Sequence, residues 1–321
     1  MRKYICKRLI QMLLVLMVVS VVSFCLIKAA PGDILMSYIT PDTTPEELEQ
    51  LKIDLGLDQS TARQYLAWAG NVLHGNWGYS VINHQSVLDQ ILDKLPATAG
   101  LMGASLVLSL LIAIPLGLLS GVKKNGVFDN IVSFISYIGI SIPNFWLGIL
   151  LILLFSLKLE WLPASGMHSI GVETFADLVK HAILPMIVIS SSNIAVFTRY
   201  VRSNTISQME EDYVLTAISK GSSPTGILFR HVMKNCLLPI ITLVGMNLVS
   251  LVTGSFIIES VFGWPGLGTL SLAAVSSRDY PLIMGVTMLS CVVLIVGIFL
   301  SDIVYTLVDP RIKSAGKECY E

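Results

Sequence analysis

The chain has 321 residues, of which 54% are hydrophobic and only 13% are Asp, Glu, Lys or Arg; its mean hydropathy is +0.73 and its formal net charge −1. Soluble domains carry roughly 25% charged residues, so this composition excludes a large soluble domain, and with no basic patch interleaved with aromatics no nucleic-acid partner is expected. The five cysteines, Cys6, Cys25, Cys236, Cys291 and Cys319, form no C-x-x-C pair, so neither a disulfide framework nor a metal site is expected and they read as small apolar residues.

The first apolar run, Leu9 to Ile27, follows Arg2, Lys3, Lys7 and Arg8. A signal peptide has that charge order, but its apolar core is only about 7–15 residues long, and Ala29-Ala30-Pro31 is a poor cleavage context. Residues 1–29 are therefore read as a retained membrane helix. Residues 30–97 follow as an extracytoplasmic helical segment with nine acidic residues. Thr44-Pro45-Glu46-Glu47 is a capping box with proline at the first helical position, predicting a helix over 45–54 with Leu48, Leu51 and Leu55 on one stripe. A second short helix is predicted after Ser60, containing Tyr65, Leu66 and Trp68, and Gly75, Asn76 and Gly78 mark a turn. This segment is too short for a core of its own and is expected to cap the membrane part.

Six spans are predicted, at about 9–29, 98–120, 131–157, 183–201, 237–258 and 282–306. With the N-terminus inside, 14 of the 21 Lys and Arg fall on the cytoplasmic side, so the positive-inside rule favours an N-in/C-in, all-α polytopic fold. Pro115, Pro143, Pro185 and Pro239 lie in or at the ends of four spans, as hinges for alternating access or as packing kinks. Ser190, Ser191, Ser192 and Asn193 make the fourth span the least apolar. Asn193, Asn247, Ser250 and Thr253 are candidates for lining a translocation path, with interhelical hydrogen bonding as the alternative. No span holds Lys, Arg or His near its centre, which argues against a proton relay or voltage sensor and places the energy source elsewhere.

The loop over 202–236 is polar and helix-forming. Glu210, Glu211 and Asp212 precede a helix-compatible stretch, where negative charge favours the N-terminal end. Gly221 is a natural C-cap. Ser223 caps a second helix with Pro224 at its first position, and Arg230, His231 and Lys234 lie in its last turns. The loop reads as helix, glycine turn, helix along the inner membrane face, docking another protein or resting on lipid headgroups. Beyond it, Trp264-Pro265-Gly266-Leu267-Gly268 is too turn-rich to span and reads as an outer re-entrant or interfacial element, with Trp264 alone also fitting an interfacial anchor.

These residues carry a resemblance. The Thr216-Ala217-x-x-x-Gly221 core resembles the cytoplasmic motif of ABC-importer permeases, in the variant of the dipeptide/oligopeptide/nickel family. The likeness runs along nearly the whole chain: Pro31-Gly32-Asp33, Leu55-Gly56-Leu57-Asp58, Leu95-Pro96-Ala97-Thr98, Ile142-Pro143-Asn144-Phe145-Trp146, Trp161-Leu162-Pro163, Leu184-Pro185, Glu259 through Gly268, Arg278-Asp279-Tyr280-Pro281 and Asp309-Pro310-Arg311. The general importer motif begins with Glu where this chain has Leu215, a departure also common in the peptide/nickel group. The resemblance implies a five-helix permease core over 98–321 and a multi-pass subunit of a bacterial or archaeal cytoplasmic membrane. It also implies a second homologous permease, two cytoplasmic ATPases that use ATP and Mg, and an extracytoplasmic solute-binding protein. The chain itself would be no enzyme and bind no cofactor. Asp212, Tyr213, Thr216, Ala217, Lys220, Gly221, Arg230 and His231 would engage an ATPase. Glu259, Trp264, Pro265, Gly266 and Gly268 would meet the solute-binding protein. Peptides, nickel and metal chelates all remain open as substrates, and His168 and His181 near one outer loop could assist a metal-bearing one.

Two other classes compete. A self-sufficient channel or ion-coupled carrier would need midplane charges or inverted repeats, and neither is visible. An intramembrane hydrolase would use Gly103-Ala104-Ser105, but no span holds a histidine at depth to act as base, and no H-E-x-x-H occurs.

Overall fold

The computed structural model describes residues 2–29, 44–54, 56–248 and 250–308, and within them it is helical, with a single bridge between Tyr79 and Ser86. Pro31-Gly32-Asp33, Leu55 and Asp309-Pro310-Arg311 lie outside the described residues. The elements in order are α1 (Arg2–Ala29), α2 (Pro45–Asp54), α3 (Thr61–Leu73), α4 (Val87–Val122), α5 (Val127–Ser141), α6 (Asn144–Leu151), α7 (Phe175–Met209), α8 (Asp212–Ser219), α9 (Pro224–Ile227), α10 (Met233–Asn247), α11 (Ser250–Thr253), α12 (Phe256–Val261), α13 (Leu267–Ser277) and α14 (Tyr280–Val308). Wider, π-type turns extend α6 through Ile152–Lys158 and join α9 to α10 through Leu228–Val232. Among the described residues four helices are long and apolar enough to cross a membrane, and six segments are if each of two bent pairs counts as one span.

Several local expectations hold atom by atom. The capping box at the start of α2 closes both ways: the Thr44 N–H donates to Glu47 Oε2 at 2.9 Å and the Glu47 N–H to Thr44 Oγ1 at 3.3 Å. The four prolines divide into two kinds. Pro185 sits inside an unbroken α7, and Pro115 inside α4. Pro143 instead stands at a break where α5 and α6 turn through 98°, and Pro239 at a 44° bend. The segment expected as one span over 131–157 is therefore a sharply bent pair. Proline removes a backbone donor and pushes the residue before it into the extended region; Ile142 is accordingly extended, with φ −80° and ψ 123°. The span expected over 237–258 is divided too: α10 ends at Asn247, and Gly254 takes a left-handed φ of 64° between α11 and α12.

The chain forms two compact units, one from residues 1–98, 252–256 and 265–295, the other from 99–251, 257–264 and 296–321. In the first, Val87 and Ile91 of α4 pack with Leu267 and Ala274 of α13 and Leu282 and Val286 of α14. The α4–α14 crossing is close because Gly285 has no side chain: a Cβ there would lie 2.4 Å from Val87 Cγ1. Asp279 is buried at the start of α14, where it accepts from the Leu282 and Val81 N–H groups and the Ser80 hydroxyl.

In the second unit, α4 presents Ser105, Ser109, Ala113, Gly117 and Gly121, one every four residues and hence along one face, to α7. A Cβ added at Gly117 would stand 2.6 Å from Val201 Cβ, and one at Gly121 2.5 Å from Thr205 Cβ. Small residues let membrane helices approach closely and exchange side-chain hydrogen bonds. Here the Ser190 hydroxyl donates to Ser105 O at 3.0 Å, and that of Ser109 to the same carbonyl at 2.7 Å.

Candidate functional site

The helix–glycine–helix loop has the expected form. Glu211 takes the extended N-cap conformation and Asp212 lies in the first turn of α8. At the other end the Gly221 N–H donates to Ile218 O at 2.9 Å and the Ser222 N–H to Ala217 O at 3.1 Å. This Schellman pair requires a left-handed residue at the turn, and Gly221 supplies it with φ 76°. The next helix starts where Ser223 predicts it: the Gly226 N–H donates to Ser223 Oγ at 3.2 Å.

α8 has two contrasting faces. Val214 is buried, and Tyr213 and Ala217 pack partly buried against a core of Leu118, Val201, Ile227, Leu228, Val232, Cys236 and Ile240. The Tyr213 hydroxyl donates to Gln208 Oε1 at 2.9 Å, and burial pushes the phenol above its ordinary range. Leu215 and Ile218 lie beside this buried strip and are 61% and 55% exposed. Asp212, Thr216, Ser219 and Lys220 are exposed around them, as are Phe229, Arg230 and His231 further along. Leu215, the residue that replaces the motif glutamate, is thus exposed. The Thr216 and Ser219 hydroxyls donate back to Asp212 O and Leu215 O, both at 3.0 Å.

An ion pair adjoins this core through Arg202, the chain neighbour of Val201. Asp129, at the start of α5, is buried and accepts from Arg202 Nε and, at 2.7 Å, Arg202 Nη2 on α7. The Ser120 hydroxyl of α4 and the Asn125 N–H, the latter at 2.8 Å, complete the carboxylate's partners. Lys124 pairs with Glu210 at 3.0 Å on the surface beside it. The one signal of this pair in the sequence was an Asp placed just before an apolar span, where an unpaired carboxylate is costly.

The path candidates are less unified than expected. Asn193 is half-buried on α7. Asn247 ends α10 with its amide donating to Leu243 O at 2.8 Å, while Ser250 and Thr253 belong to the separate α11, so these three do not share one helix face. Of the outer-face candidates only Pro265 is exposed; Glu259, Trp264, Gly266 and Gly268 are buried. Gly263 turns the chain with φ 57°, the Trp264 N–H donates to Glu259 O at 2.8 Å, and Phe262 and Ile258 pack on Leu184 and Val188. These residues shape a turn rather than present side chains. His168 and His181 both face Asp177, with Nδ1 atoms 3.5 and 3.6 Å from its Oδ2. Among the described residues no group of three or more His, Cys, Asp or Glu is arranged to hold a metal. Ile142-Pro143-Asn144-Phe145-Trp146 forms the α5–α6 bend, whose inner side opens an apolar groove of about 560 Å³.

The profile of the binding-protein-dependent transport system inner membrane component matches residues 113–314, which contain α8 and its seat. The chain belongs to that family. A profile for the N-terminal part of such membrane components matches residues 1–102 of the permease. The permease is 38% identical to the oligopeptide transport system permease protein AppB of Bacillus subtilis (strain 168), over 98% of this chain and 100% of that one. It is 36% identical to the dipeptide transport system permease protein DppB of Lactococcus lactis subsp. cremoris (strain MG1363), again over 98% and 100%. Its fold resembles a chain of the MetNI methionine ABC transporter solved in inward-facing conformations, with a TM-score of 0.51 at 18% identity, covering 69% of this chain and 97% of that one.

Proposed function

We propose that the permease carries peptides into the cytoplasm by alternating access, as the membrane subunit of an ABC importer. It pairs with a second homologous permease and draws its driving force from two cytoplasmic ATPases, which bind the ATP and Mg. A solute-binding protein delivers substrate on the outer side of the cytoplasmic membrane. Six spans with both termini inside put α8 on the ATPase side. The observation that carries this reading is the division of α8: Val214, Tyr213 and Ala217 tie it to the spans, while Leu215 and Ile218 beside them stay exposed. A short helix partly buried and partly exposed transmits a push from a partner into the bundle. ATP binding then biases a two-state equilibrium between outward- and inward-open forms. The peptide assignment rests on relatives named as oligopeptide and dipeptide permeases. A nickel or metal-chelate cargo has less support, since these relatives are named for peptides.

Uptake of radiolabelled di- to hexapeptides and of nickel into cells carrying the complete transporter tests this. Peptide uptake that stops when either the ATPases or the solute-binding protein is removed is expected. Uptake that persists without the ATPases would return the chain to the channel or ion-coupled class.

A further inference from the structure

α3 has an apolar arc wider than the surface it packs with. Tyr65, Trp68 and Val72 share one side of the helix, and Tyr65 and Trp68 meet α1: the Tyr65 and Ser20 hydroxyls are 2.7 Å apart, and Phe24 stacks edge-on to Tyr65 with ring centroids 5.6 Å apart and lies 6.1 Å from the Trp68 ring. Beside them runs a second stripe, Ala62, Leu66, Ala69 and Leu73, at i, i+4, i+7 and i+11. Leu66 is 67% exposed and Leu73 86%. Arg63, Ala67 and Asn71 occupy the remaining face and are exposed.

The contact with α1 sets a depth. Ser20 lies seven residues before Ile27, the outer end of the apolar run, which is roughly 10 Å along the helix axis. The half-thickness of a bilayer's hydrocarbon core is about 15 Å. A hydroxyl from α3 that reaches Ser20 brings α3 down beside the outer part of α1. α1 itself is almost wholly uncovered and apolar there, with Met17, Val18, Val21 and Val22 exposed. The α3 stripe and this part of α1 are thus both apolar and uncovered within the chain.

We propose that α3 is an interfacial helix embedded in the outer leaflet, its Ala62–Leu66–Ala69–Leu73 stripe against lipid acyl chains. Amphipathic helices of this kind settle about 5–10 Å into the boundary between headgroups and chains. Arg63 flanks the stripe and reaches up to phosphate by extending its apolar stem, and Trp68 sits at the depth where aromatic belts form. A protein partner is the poorer occupant: the stripe has no side-chain donor or acceptor, whereas protein interfaces form about one hydrogen bond per 100–200 Å². The inference rests on the N-in topology proposed above.

The test uses the complete transporter in vesicles, with single cysteines at 63, 66, 71 and 73 in a chain whose native cysteines are replaced and whose peptide uptake is retained. With an environment-sensitive fluorophore, Leu66→Cys and Leu73→Cys are expected to be strongly quenched by lipids brominated on the acyl chain. Arg63→Cys and Asn71→Cys are expected to react at least several-fold faster than those two with an impermeant maleimide added outside. Equal reaction at all four positions overturns the proposal, because the stripe then faces water. Positions 66 and 73 shielded from both probes also overturn it, because protein then covers them. Reaction of position 71 only from the vesicle interior refutes the topology instead, and leaves lipid burial to the quenching arm. If the cysteine-replaced chain fails to fold, a photocrosslinking amino acid at 66 in the native chain decides the same point: a lipid adduct supports the proposal, and a protein adduct alone refutes it.

Discussion

Arg202 grips Asp129 with two nitrogens of its guanidinium, joining the C-terminal part of α7 to the start of α5, with the carboxylate buried. The carboxylate has four donors and is satisfied on both oxygens. The pair stands beside the loop whose Lys124 holds Glu210, two residues before α8. Ionic contacts therefore join the end of α7 that leads into α8 to the start of α5 and to the loop before it.

Removing one partner of a buried ion pair costs about 3–5 kcal/mol, since the other charge is left uncompensated. Arg202→Leu is expected to lower the thermal stability of the purified permease markedly. Arg202→Lys, which keeps charge but not the two-pronged geometry, is expected to retain the fold with a smaller loss. Equal stability of all three proteins in a detergent melting assay would remove the structural role given to the pair.

Gly121 tests the α4–α7 seam. Its absent Cβ would meet Thr205 Cβ at 2.5 Å and Arg202 O at 3.0 Å, so even Gly121→Ala must push helices apart, at about 1–3 kcal/mol for an overpacked site. Gly103→Ala is the control, because its Cβ would make only ordinary contact, 3.8 Å from Leu251. The first should reduce stability and membrane yield; the second should leave both unchanged.

Much of this was legible in the sequence, and what escaped has a common cause. The capping box at Thr44, the Schellman turn at Gly221 and the Ser223 cap are local, and their hydrogen bonds form between residues at most five apart. The seam was hidden because Ser105, Ser109, Ala113, Gly117 and Gly121 look like ordinary members of an apolar run. Asp129 and Arg202 are 73 positions apart, and nothing local links them. Pro143 announced a break but not its angle, because periodicity stops at a proline and says nothing of where the chain goes next. Burial of Glu259 and Trp264 was missed because an acidic residue and a turn-flanking tryptophan read as surface until Ile258 and Phe262 are seen packed on α7.

Buried and exposed positions of α8 should respond differently. Val214→Asp puts a charge into the core of the loop and is expected to impair folding, since a buried unpaired carboxylate is strongly disfavoured. Leu215→Lys touches only the exposed surface. It is expected to leave folding and membrane insertion unchanged while weakening co-purification of the ATPases and reducing peptide uptake at least tenfold. Normal uptake by the Leu215→Lys chain would mean that this surface carries no coupling.

Gly221→Val strains the turn, because a left-handed conformation costs an L-residue about 1–2 kcal/mol, more when β-branched. No neighbour lies within 4 Å of the added Cβ, so the effect is conformational and not a clash. The expected outcome is ATP hydrolysis that no longer tracks uptake, with normal insertion. Coupled hydrolysis and transport in this variant would show that the lever does not need its tight C-cap.

The most direct measurement is site-specific photocrosslinking from α8 in the assembled transporter, with the probe placed in turn at positions 214, 215 and 218. Adducts to the ATPase subunit from 215 and 218, strengthened or weakened by ATP and absent from 214, are the predicted result. Adducts from 214 alone, no ATPase adduct from any of the three, or reaction of these positions with a reagent confined to the outside of the membrane would contradict the role assigned to this helix.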